Sequence, residues 1–598
     1  MASLSRRGFL GLTGALAASF GLPHSMLAEA LAAPLTPGEG ATTLQQTIRQ
    51  VNIGNRQYRT LVAAPGEPYL TRVDLTGQDP SPARAARRRS IAYLGHTSDL
   101  HIMDAQSPAR LEPVSEFSTT LVPGNFRPQE TLTVYVQAAM VKAIADAAFS
   151  PVTGAPLAAL LNTGDMADML SNKELRWYID VFDGTPVTPN TGKAGEYEGV
   201  QAWEEAAYAY HPDDPTNDPF GAYGFPKVPG LLTAAVSQEV KSGGLPVPWY
   251  TVFGNHDTVY SGVFGTDEAV RNLATGEQKP YAFPALAGSY FRGMTTDTSP
   301  LTRGFRALEQ QFGFNTGFKR VTGDTSRKLL VSEDFMKAHF ETTAMPGPVG
   351  HGFTQQNLDT GQTFWSTDIG PNLRVFGLDT CNQVVGADGA VPQNQFDWLK
   401  TGLGQALQEK KLAIVLSHHN SLTLENTAQN LLSPGEPLIH ADQFIDMLLE
   451  FPNMIAWLNG HTHINTIQAH PSKVGPGGFW EITTASCIDY PQQQQLVEIV
   501  DNRDGTLSLF STVLDHASPP SWRQGDLSPT GLASLSREFA SNDWVEDPLM
   551  RRGSPPDRNT EMLIKAPFDM SMISDADLEK TNAQRKATIL ANQKGAVT

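Results

Sequence analysis

The amino-acid sequence predicts a layered α/β sandwich built from two mixed sheets. Short apolar runs alternate with segments of helical periodicity up to about residue 458, and three further apolar runs then follow without helices between them. Polar motifs come directly after several of these runs. Strands that alternate with helices, followed by a run of strands, are typical of this fold class.

The first thirty residues have the features of an export signal. Arg6 and Arg7 precede the uncharged stretch 11–22, which is too short to span a bilayer, and residues 28–30 read Ala-Glu-Ala, a small-x-small cleavage site. Paired arginines in this position predict a twin-arginine signal peptide over residues 1–30, with the twin-arginine export machinery as a partner. The alternative is an amphipathic helix that begins the domain. We expect an exported protein that is periplasmic, cell-wall-associated or extracellular.

Composition narrows the range of partners. The chain has 598 residues, which exceeds the usual size of one compact core and predicts one large or two fused domains. It carries 62 acidic and 44 basic residues, a net charge of −18, so no nucleic-acid partner is expected. No later run approaches 18 apolar residues, so no integral membrane segment is expected in the mature chain. Cys381 and Cys487 could pair or remain buried free thiols, and both alternatives stay open.

The elements follow in order along the chain. After an N-terminal extension over residues 31–88, apolar runs predict strands at 91–94, 157–162, 249–253, 373–378, 412–416, 454–458, 479–484, 496–500 and 507–513. Helical spacing predicts helices at 132–149, 393–407, 441–451 and 532–540. The predicted domain covers 89–515, with insertions near 170–248 and 258–370 that we expect to shape the substrate site. Residues 516–598 are a predicted C-terminal extension, and its last thirty residues, charged and rich in alanine, are expected to be peripheral.

Five short motifs bring together residue types that bind metal ions. They are S-D-L-H with Asp99 and His101, G-D-M-A-D with Asp165 and Asp168, G-N-H-D with Asn255, His256 and Asp257, S-H-H-N with His418 and His419, and N-G-H-T-H with His461 and His463. Each motif follows a predicted strand, where open α/β sheets place their ligand crevice. Carboxylates, imidazoles and a neutral amide together suit a dinuclear hydrolytic centre.

The spacing within the motifs predicts how the ligands are shared. Asp165, in a tight turn after a strand, is well placed to bridge two metal ions, which a phosphoesterase centre needs. Asp99 and His101 are two residues apart on a segment expected to be extended, so both side chains should point to one side. His461 and His463 have the same spacing and the same expectation.

The order of the motifs resembles that of the calcineurin-like metallophosphoesterase superfamily, in particular its secreted bacterial members. The resemblance covers residues 91–513 apart from the insertions, and it implies a four-layer α/β/β/α sandwich. It implies two divalent ions (manganese, iron or zinc), the first held by Asp99, His101, Asp165 and His463, the second by Asp165, Asn255, His418 and His461. It also implies that His256 donates to the phosphate or protonates the leaving alkoxide, with Asp257 tuning it.

Two residues of the motifs have competing interpretations. In S-H-H-N the resemblance favours His418 as the ligand, with His419 as the alternative. Asp168 either supports a histidine or metal from outside the coordination shell or caps a helix. Arg110 could approach a phosphate, but nothing in the sequence fixes its geometry.

The sequence therefore predicts an exported phosphoesterase in which a metal-bridging hydroxide attacks phosphorus. The substrate is expected to be a small-molecule or lipid phosphate ester. Diesters are favoured, because the sequence lacks an obvious cluster of the extra cationic groups that a monoester needs. The alternatives are a phosphomonoesterase with the same site and a non-catalytic binding protein of the same fold.

Overall fold

A computed structural model describes residues 42–595, apart from residues 55, 117–123, 267, 284–316, 343–345, 383–385, 429–433 and 546. The predicted signal peptide lies outside the described residues, as does part of the second predicted insertion. We number strands and helices in chain order.

A seven-stranded mixed sheet carries the first three motifs. Its strands, in spatial order, are β3 (Leu70–Arg72), β19 (Thr560–Lys565), β18 (Thr506–Asp515), β17 (Gln493–Asp501), β4 (Arg89–Thr97), β5 (Ala159–Asn162) and β6 (Trp249–Thr251). Strands β4, β5 and β6 pair in parallel, whereas β4, β17, β18 and β19 pair antiparallel. The parallel half therefore places the ends of three motif-bearing strands at one edge.

A six-stranded mixed sheet carries the other two motifs. Its strands, in spatial order, are β15 (Thr466–Pro471), β16 (Gly478–Thr483), β14 (Met454–Asn459), β12 (Leu412–Leu416), β10 (Leu373–Gly377) and β9 (Trp365–Asp368). The four central strands pair in parallel, and β9 and β15 pair antiparallel at the two edges.

The remaining elements lie around these sheets. Three two-stranded sheets are formed by β1 (Gln46–Asn52) with β2 (Arg59–Pro65), β7 (Gln278–Pro280) with β8 (Phe318–Arg320), and β11 (Val391–Pro392) with β13 (Leu438–Ile439). The helices are α1 (Arg84–Arg87), α2 (Thr133–Asp146), α3 (Asn172–Asp183), α4 (Pro219–Tyr223), α5 (Leu231–Ser237), α6 (Glu268–Thr275), α7 (Ser332–Phe340), α8 (Gln355–Thr360), α9 (Gln393–Gln408), α10 (Ala441–Leu448), α11 (Pro529–Ala540) and α12 (Asp575–Gly595). Within the described ranges, every helix is too short or too polar to cross a bilayer.

Alternation of side chains along β12 shows how the layers pack. Leu412, Ile414 and Leu416 belong to the hydrophobic cluster that includes β17 and β18 of the other sheet. Ala413 and Val415 belong to a second cluster, formed with helices α9 and α10. Since successive residues of a strand face opposite sides, β12 is covered by a sheet on one face and by helices on the other.

The predicted fold class is confirmed, with two mixed sheets between layers of helices. Helix α2 contacts β18, and α11 packs on α2, so helices also cover the seven-stranded sheet. All nine predicted strands and all four predicted helices correspond to observed elements. The division into domain and extensions stays a prediction, but β3 and β19, from the two flanking segments, pair into the main sheet. Cys381 and Cys487 are buried and unpaired.

Candidate metal centre

The five motifs meet where strands of the two sheets end. Asp99, Asp165 and Asn255 follow β4, β5 and β6, and the histidine motifs follow β12 and β14. The three strands of the first group are parallel neighbours, as are the two strands of the second. Parallel neighbours present their carboxyl ends at one edge, so a few residues after each strand are enough to build a shared crevice.

The backbone of the motifs is left-handed at five of the seven predicted ligands. The φ angles are 53° at Asp99, 44° at His101, 54° at Asp165, 67° at His461 and 59° at His463. Such angles are uncommon for residues other than glycine, and they concentrate at functional sites. The expectation of extended segments at Asp99 and His101, and at His461 and His463, is therefore wrong, although the side chains do converge. Tight turns, rather than strand alternation, direct them to the centre.

Glycines in two motifs let the backbone contact the carboxylates. A Cβ at Gly254 would overlap Asp165 Oδ1, and one at Gly460 would overlap Asp99 Oδ2. These close approaches allow the backbone N–H of His256 to donate to Asp165 Oδ1 at 2.8 Å, and that of His461 to donate to Asp99 Oδ2 at 3.0 Å. One oxygen of each carboxylate is thereby fixed, and the other is turned toward the centre.

Asp165 lies between histidines contributed by the two sheets. Its Oδ2 atom is 3.1 Å from His418 Nε2 and 3.6 Å from His101 Nε2. Burial raises the pKa of the Asp165 carboxyl, but the neighbouring histidines, His418 first, outweigh burial and hold the pKa well below its usual range. The predicted bridging carboxylate is therefore ionised and lies beside two imidazoles.

Asp99, His101 and His463 form a first group of predicted ligands beside Asp165. Asp99 Oδ1 is 3.2 Å from His463 Nε2 and 3.9 Å from His101 Nε2. Asp99 Oδ1 and His101 Nε2 are buried and have no hydrogen-bond partner within the described ranges. Burying such atoms unpaired is costly, and a cation between them would satisfy both.

Asn255, His418 and His461 form a second group with Asp165. His418 Nε2 is 2.9 Å from Asn255 Oδ1 and 3.1 Å from His461 Nδ1. The Asn255 amide donates from Nδ2 to the carbonyl of Gly262, and His418 Nδ1 donates to the carbonyl of Thr163 at 2.8 Å. These bonds direct Asn255 Oδ1 and His418 Nε2 toward the centre.

The two histidines of S-H-H-N have different surroundings. His419 places Nδ1 2.8 Å from Thr380 Oγ1 and Nε2 2.7 Å from the carbonyl of Ala387. Both ring nitrogens of His419 are therefore engaged by groups outside the predicted ligand set, whereas His418 Nε2 faces two predicted ligand atoms, Asn255 Oδ1 at 2.9 Å and Asp165 Oδ2 at 3.1 Å. The geometry favours His418 as the ligand.

Two carboxylates orient the histidines of the first group from behind. Asp168 accepts from His101 Nδ1 at 3.0 Å and from Arg110 at 2.6 Å, while Ser171 caps helix α3, so Asp168 is a support and not a cap. Asp489 accepts from His463 Nδ1 at 2.7 Å. Such bonds fix the tautomer and the ring orientation of a metal-binding histidine.

Asp489 lies outside the five motifs, and sequence reasoning missed it. In the sequence, Asp489 is recognisable only as a carboxylate shortly after the predicted strand 479–484. Many loops have a carboxylate in such a position, so it does not predict a site residue. Burial raises its pKa, but Arg127 and Arg551, together with His463, hold the pKa well below its usual range. The Asp489 carboxyl is therefore ionised beside a predicted ligand.

His256 and Asp257 take separate places at the edge of the centre. His256 Nδ1 is 2.7 Å from the carbonyl of Asp168, and 22% of its side chain is exposed, whereas His418 is fully buried. Asp257 instead accepts from the backbone N–H groups of Gly254, Met166 and Ala167, each at 3.0 Å. Burial, and then the charge of Asp165, raise the pKa of Asp257 to about 7. Asp257 thus holds the loop of Asp165 and makes no hydrogen bond to the His256 ring; its catalytic role stays a prediction.

The donor atoms are spaced as a metal centre requires. Ligand atoms lie within 4.8 Å of one another in four overlapping groups: Asp99, His101 and His463; Asp99, Asp165 and His418; His418, His419 and His461; and His101, Asp168 and His256. Carboxylate and imidazole donors suit manganese, iron and zinc. The residues fit divalent metal ions, and the assignment of each ligand to a particular ion stays a prediction.

Comparison with known proteins adds a weak likeness in shape. No protein-family model and no curated protein matches the chain. One similar solved structure is a dimetal phosphatase from Danio rerio, with 9% sequence identity and a TM-score of 0.31 over 72% of this chain and all of that chain. A likeness at this level is too weak to support an assignment of function.

Proposed function

We propose that this protein is a metal-dependent phosphoesterase that acts on small-molecule or lipid phosphate esters, with diesters preferred. The position of Asp165 carries the proposal, because Oδ2 lies 3.1 Å from His418 Nε2 and 3.6 Å from His101 Nε2. An ionised carboxylate between imidazoles from two sheets suits the bridging ligand on which two-metal phosphate hydrolysis depends.

The ligands divide into two sets that share Asp165. Asp99, His101 and His463 would complete the first set, and Asn255, His418 and His461 the second. When bound, two divalent ions would stabilise charge on the phosphoryl oxygens and lower the pKa of the water that attacks phosphorus.

His256 is the residue of the motifs best placed to assist the leaving group. Its Nδ1 atom donates to the Asp168 carbonyl at 2.7 Å, so Nε2 is the nitrogen left for substrate. In the proposed reaction Nε2 donates a proton to the departing alkoxide. The role of Asp257 in this proposal is to fix the loop that presents Asp165.

The proposed preference for diesters rests on the carboxylate partners of the arginines beside the site. Arg110 bonds to Asp168, and Arg127 and Arg551 bond to Asp489. Each of these arginines is therefore bonded to a carboxylate of the protein. A monoester carries an additional negative charge and is usually met by further cations, so the pairing favours a substrate of lower charge.

Export completes the proposal and rests on the sequence of residues 1–30, with its paired arginines, short uncharged stretch and cleavage site. We expect Arg6→Lys together with Arg7→Lys to retain the protein in the cytoplasm, because a twin-arginine pathway reads the pair. Fractionation of the producing cells, followed by N-terminal sequencing of the exported form, would test the expectation. Export of the double variant would contradict it.

Hydrolysis of bis(4-nitrophenyl) phosphate by the manganese-loaded protein tests the proposed activity. Asp165→Asn should lower kcat by more than about a hundredfold, beyond the loss typical of a residue outside the coordination shell. Asp442→Asn, an exposed carboxylate in helix α10, is the matched control and should leave the rate unchanged. Equal rates for wild type and Asp165→Asn would exclude the assigned role of Asp165. Absence of hydrolysis in a wild type that retains two metal ions would favour the non-catalytic alternative.

A further inference from the structure

A cavity of about 190 Å³ lies beside Asp489, the carboxylate that supports the predicted ligand His463. Its lining includes Phe126, Gln129, Tyr208, Phe220, Asp489 and Trp544. Asp489 is the carboxylate that accepts from His463 Nδ1 at 2.7 Å, so one imidazole ring separates the cavity wall from the predicted ligand atom of His463. Asp489 thus links the cavity wall to the candidate centre.

The wall of the cavity is a continuous chain of aromatic rings. Phe126 contacts Tyr208 edge to face with ring centroids 5.9 Å apart, and contacts Phe220 in the same way at 5.6 Å. Phe220 contacts Trp544 at 4.5 Å. Aromatic side chains arranged in this way attract a further ring by edge-to-face and offset contacts. An apolar cavity of roughly 150 Å³ holds benzene, so the volume suits one ring.

The polar atoms of the cavity favour an uncharged occupant. The lining holds two cations, Arg127 and Arg551, and two carboxylates, Asp489 and Asp543, so its formal charges balance. Arg127 Nε and Arg551 Nη1 both bond to Asp489, at 2.7 and 2.8 Å. Gln129 Oε1 and Tyr208 Oη are buried and lack a hydrogen-bond partner in the part of the chain that the structure describes. An apolar chamber with a few unsatisfied polar atoms is the usual form of a small-molecule site.

We propose that this cavity receives an aromatic ring on the leaving alcohol of the phosphate ester. The inference rests on the proposed function and adds the substrate class to it. Water supplies the oxygen that bonds to phosphorus, the bond from phosphorus to the ester oxygen breaks, and the ring-bearing alcohol departs with a proton. Tyr208 and Phe220 belong to the predicted insertion 170–248 and Trp544 to the C-terminal extension, so segments outside the motifs select the alcohol.

Three methyl phosphodiesters whose leaving alcohols differ little in acidity test the preference. With the manganese-loaded protein, kcat/KM for benzyl methyl phosphate should be about tenfold higher than kcat/KM for ethyl methyl phosphate. The benzyl ester should also be hydrolysed with a higher kcat/KM than cyclohexylmethyl methyl phosphate, but by a smaller factor. Val545 also lines the cavity, and Val545→Phe should bring the benzyl-to-ethyl ratio close to one. Val474→Phe, at a side chain 94% exposed and outside the cavity, is the matched control and should leave the ratio unchanged.

Ligand-observed NMR with benzyl alcohol gives a second readout that needs no turnover. We expect benzyl alcohol to bind the wild type and Val474→Phe, and to lose binding in Val545→Phe. Hydrolysis of the ethyl ester with a ratio near one and no binding of benzyl alcohol would overturn this inference and leave the proposed function standing. Equal preference for benzyl and cyclohexylmethyl would overturn the aromatic assignment. Binding of benzyl alcohol without hydrolysis of any ester would instead overturn the proposed function, and the substrate assignment with it.

Discussion

At the scale of single residues, the candidate centre depends on backbone contacts that fix one oxygen of each carboxylate. His256 N–H holds Asp165 Oδ1, and His461 N–H holds Asp99 Oδ2. A side chain at residue 254 or 460 would occupy the space through which these contacts pass. The motif glycines therefore contribute to the site as much as the charged residues do.

Replacing Gly254 by alanine should displace Asp165 and disrupt metal binding. The added Cβ overlaps Asp165 Oδ1 and its backbone nitrogen, so the carboxylate cannot keep its place. We expect Gly254→Ala to lose at least one metal ion in elemental analysis and to hydrolyse bis(4-nitrophenyl) phosphate more than about a hundredfold more slowly. Gly404→Ala is the control, since its Cβ would meet nothing closer than 3.7 Å and helix α9 favours alanine. Full metal content in Gly254→Ala would contradict the contact.

A pair of glutamine variants distinguishes the two neighbouring histidines. His418→Gln removes the nitrogen that faces Asp165 and Asn255, whereas His419→Gln removes a ring bonded to Thr380 and Ala387. Metal content measured by elemental analysis should fall by about one ion per chain in His418→Gln and stay at the wild-type level in His419→Gln. The opposite pattern would make His419 the ligand.

At the scale of elements, the C-terminal helix shows what sequence pattern could not predict. The expectation that the last thirty residues are peripheral is wrong, because α12 contacts β4 and buries Leu578, Ala587 and Ile589. Arg585 donates to the carbonyl of Ile91 at 3.0 Å. Charged residues and alanines separate these few apolar positions. The sequence therefore has no clear amphipathic period that would predict the buried face.

Shortening one buried side chain of α12 should destabilise the whole protein. Ile589 is fully buried, and Ile589→Ala leaves a cavity that should lower the free energy of unfolding by about 2–5 kcal/mol. Urea denaturation with an unchanged m-value would measure the loss. Glu579→Ala, at an exposed position of the same helix, should change stability by less than about 0.5 kcal/mol. Similar stabilities for both variants would show that α12 is peripheral after all.

Strands were predictable where apolar runs are continuous, and unpredictable where pairing supplies the stability. Strand β12 has the bounds that its run of apolar residues predicts, because both of its faces are buried. Strand β3 has three residues and pairs with β19, whose sequence lies almost five hundred residues away. The sequence of residues 70–72 does not predict that pairing, so only the tertiary structure reveals the strand.

At the scale of the whole molecule, the motifs predicted where the sheets meet but not what surrounds the centre. Each motif follows a strand, and that local rule was sufficient to place the predicted ligands together. Asp489 and the aromatic cavity combine segments that are distant in sequence, from Phe126 to Trp544. Neither carries a motif, because aromatic residues and single carboxylates are common in loops. Substrate selection is thus the property that sequence pattern reaches least well.

Buried histidines join both insertions to the core and should make stability depend on pH. His339 lies 2.6 Å from Tyr178 Oη and 3.0 Å from His351, and His351 stacks on Trp249 of β6 with ring centroids 3.5 Å apart. Burial, followed by the charge of Arg176, lowers the pKa of His351 to about 3. The unfolded chain binds this proton near pH 6.5, so the stabilisation is complete above pH 6.5 and is lost as the pH falls toward 3.

Replacing His351 by asparagine removes the group that binds this proton. Asparagine tolerates the left-handed backbone at this position, where φ is 45°. At pH 8 the variant should be less stable than the wild type, because the stack on Trp249 is lost. At pH 4.5 the difference in the free energy of unfolding should be smaller by about 2–3 kcal/mol. Below pH 6.5 the wild type loses about 1.4 kcal/mol of stability per pH unit through His351, and the variant does not. Urea denaturation of both proteins at the two pH values measures the change, and a constant difference would mean that His351 does not couple protonation to the packing of the insertions.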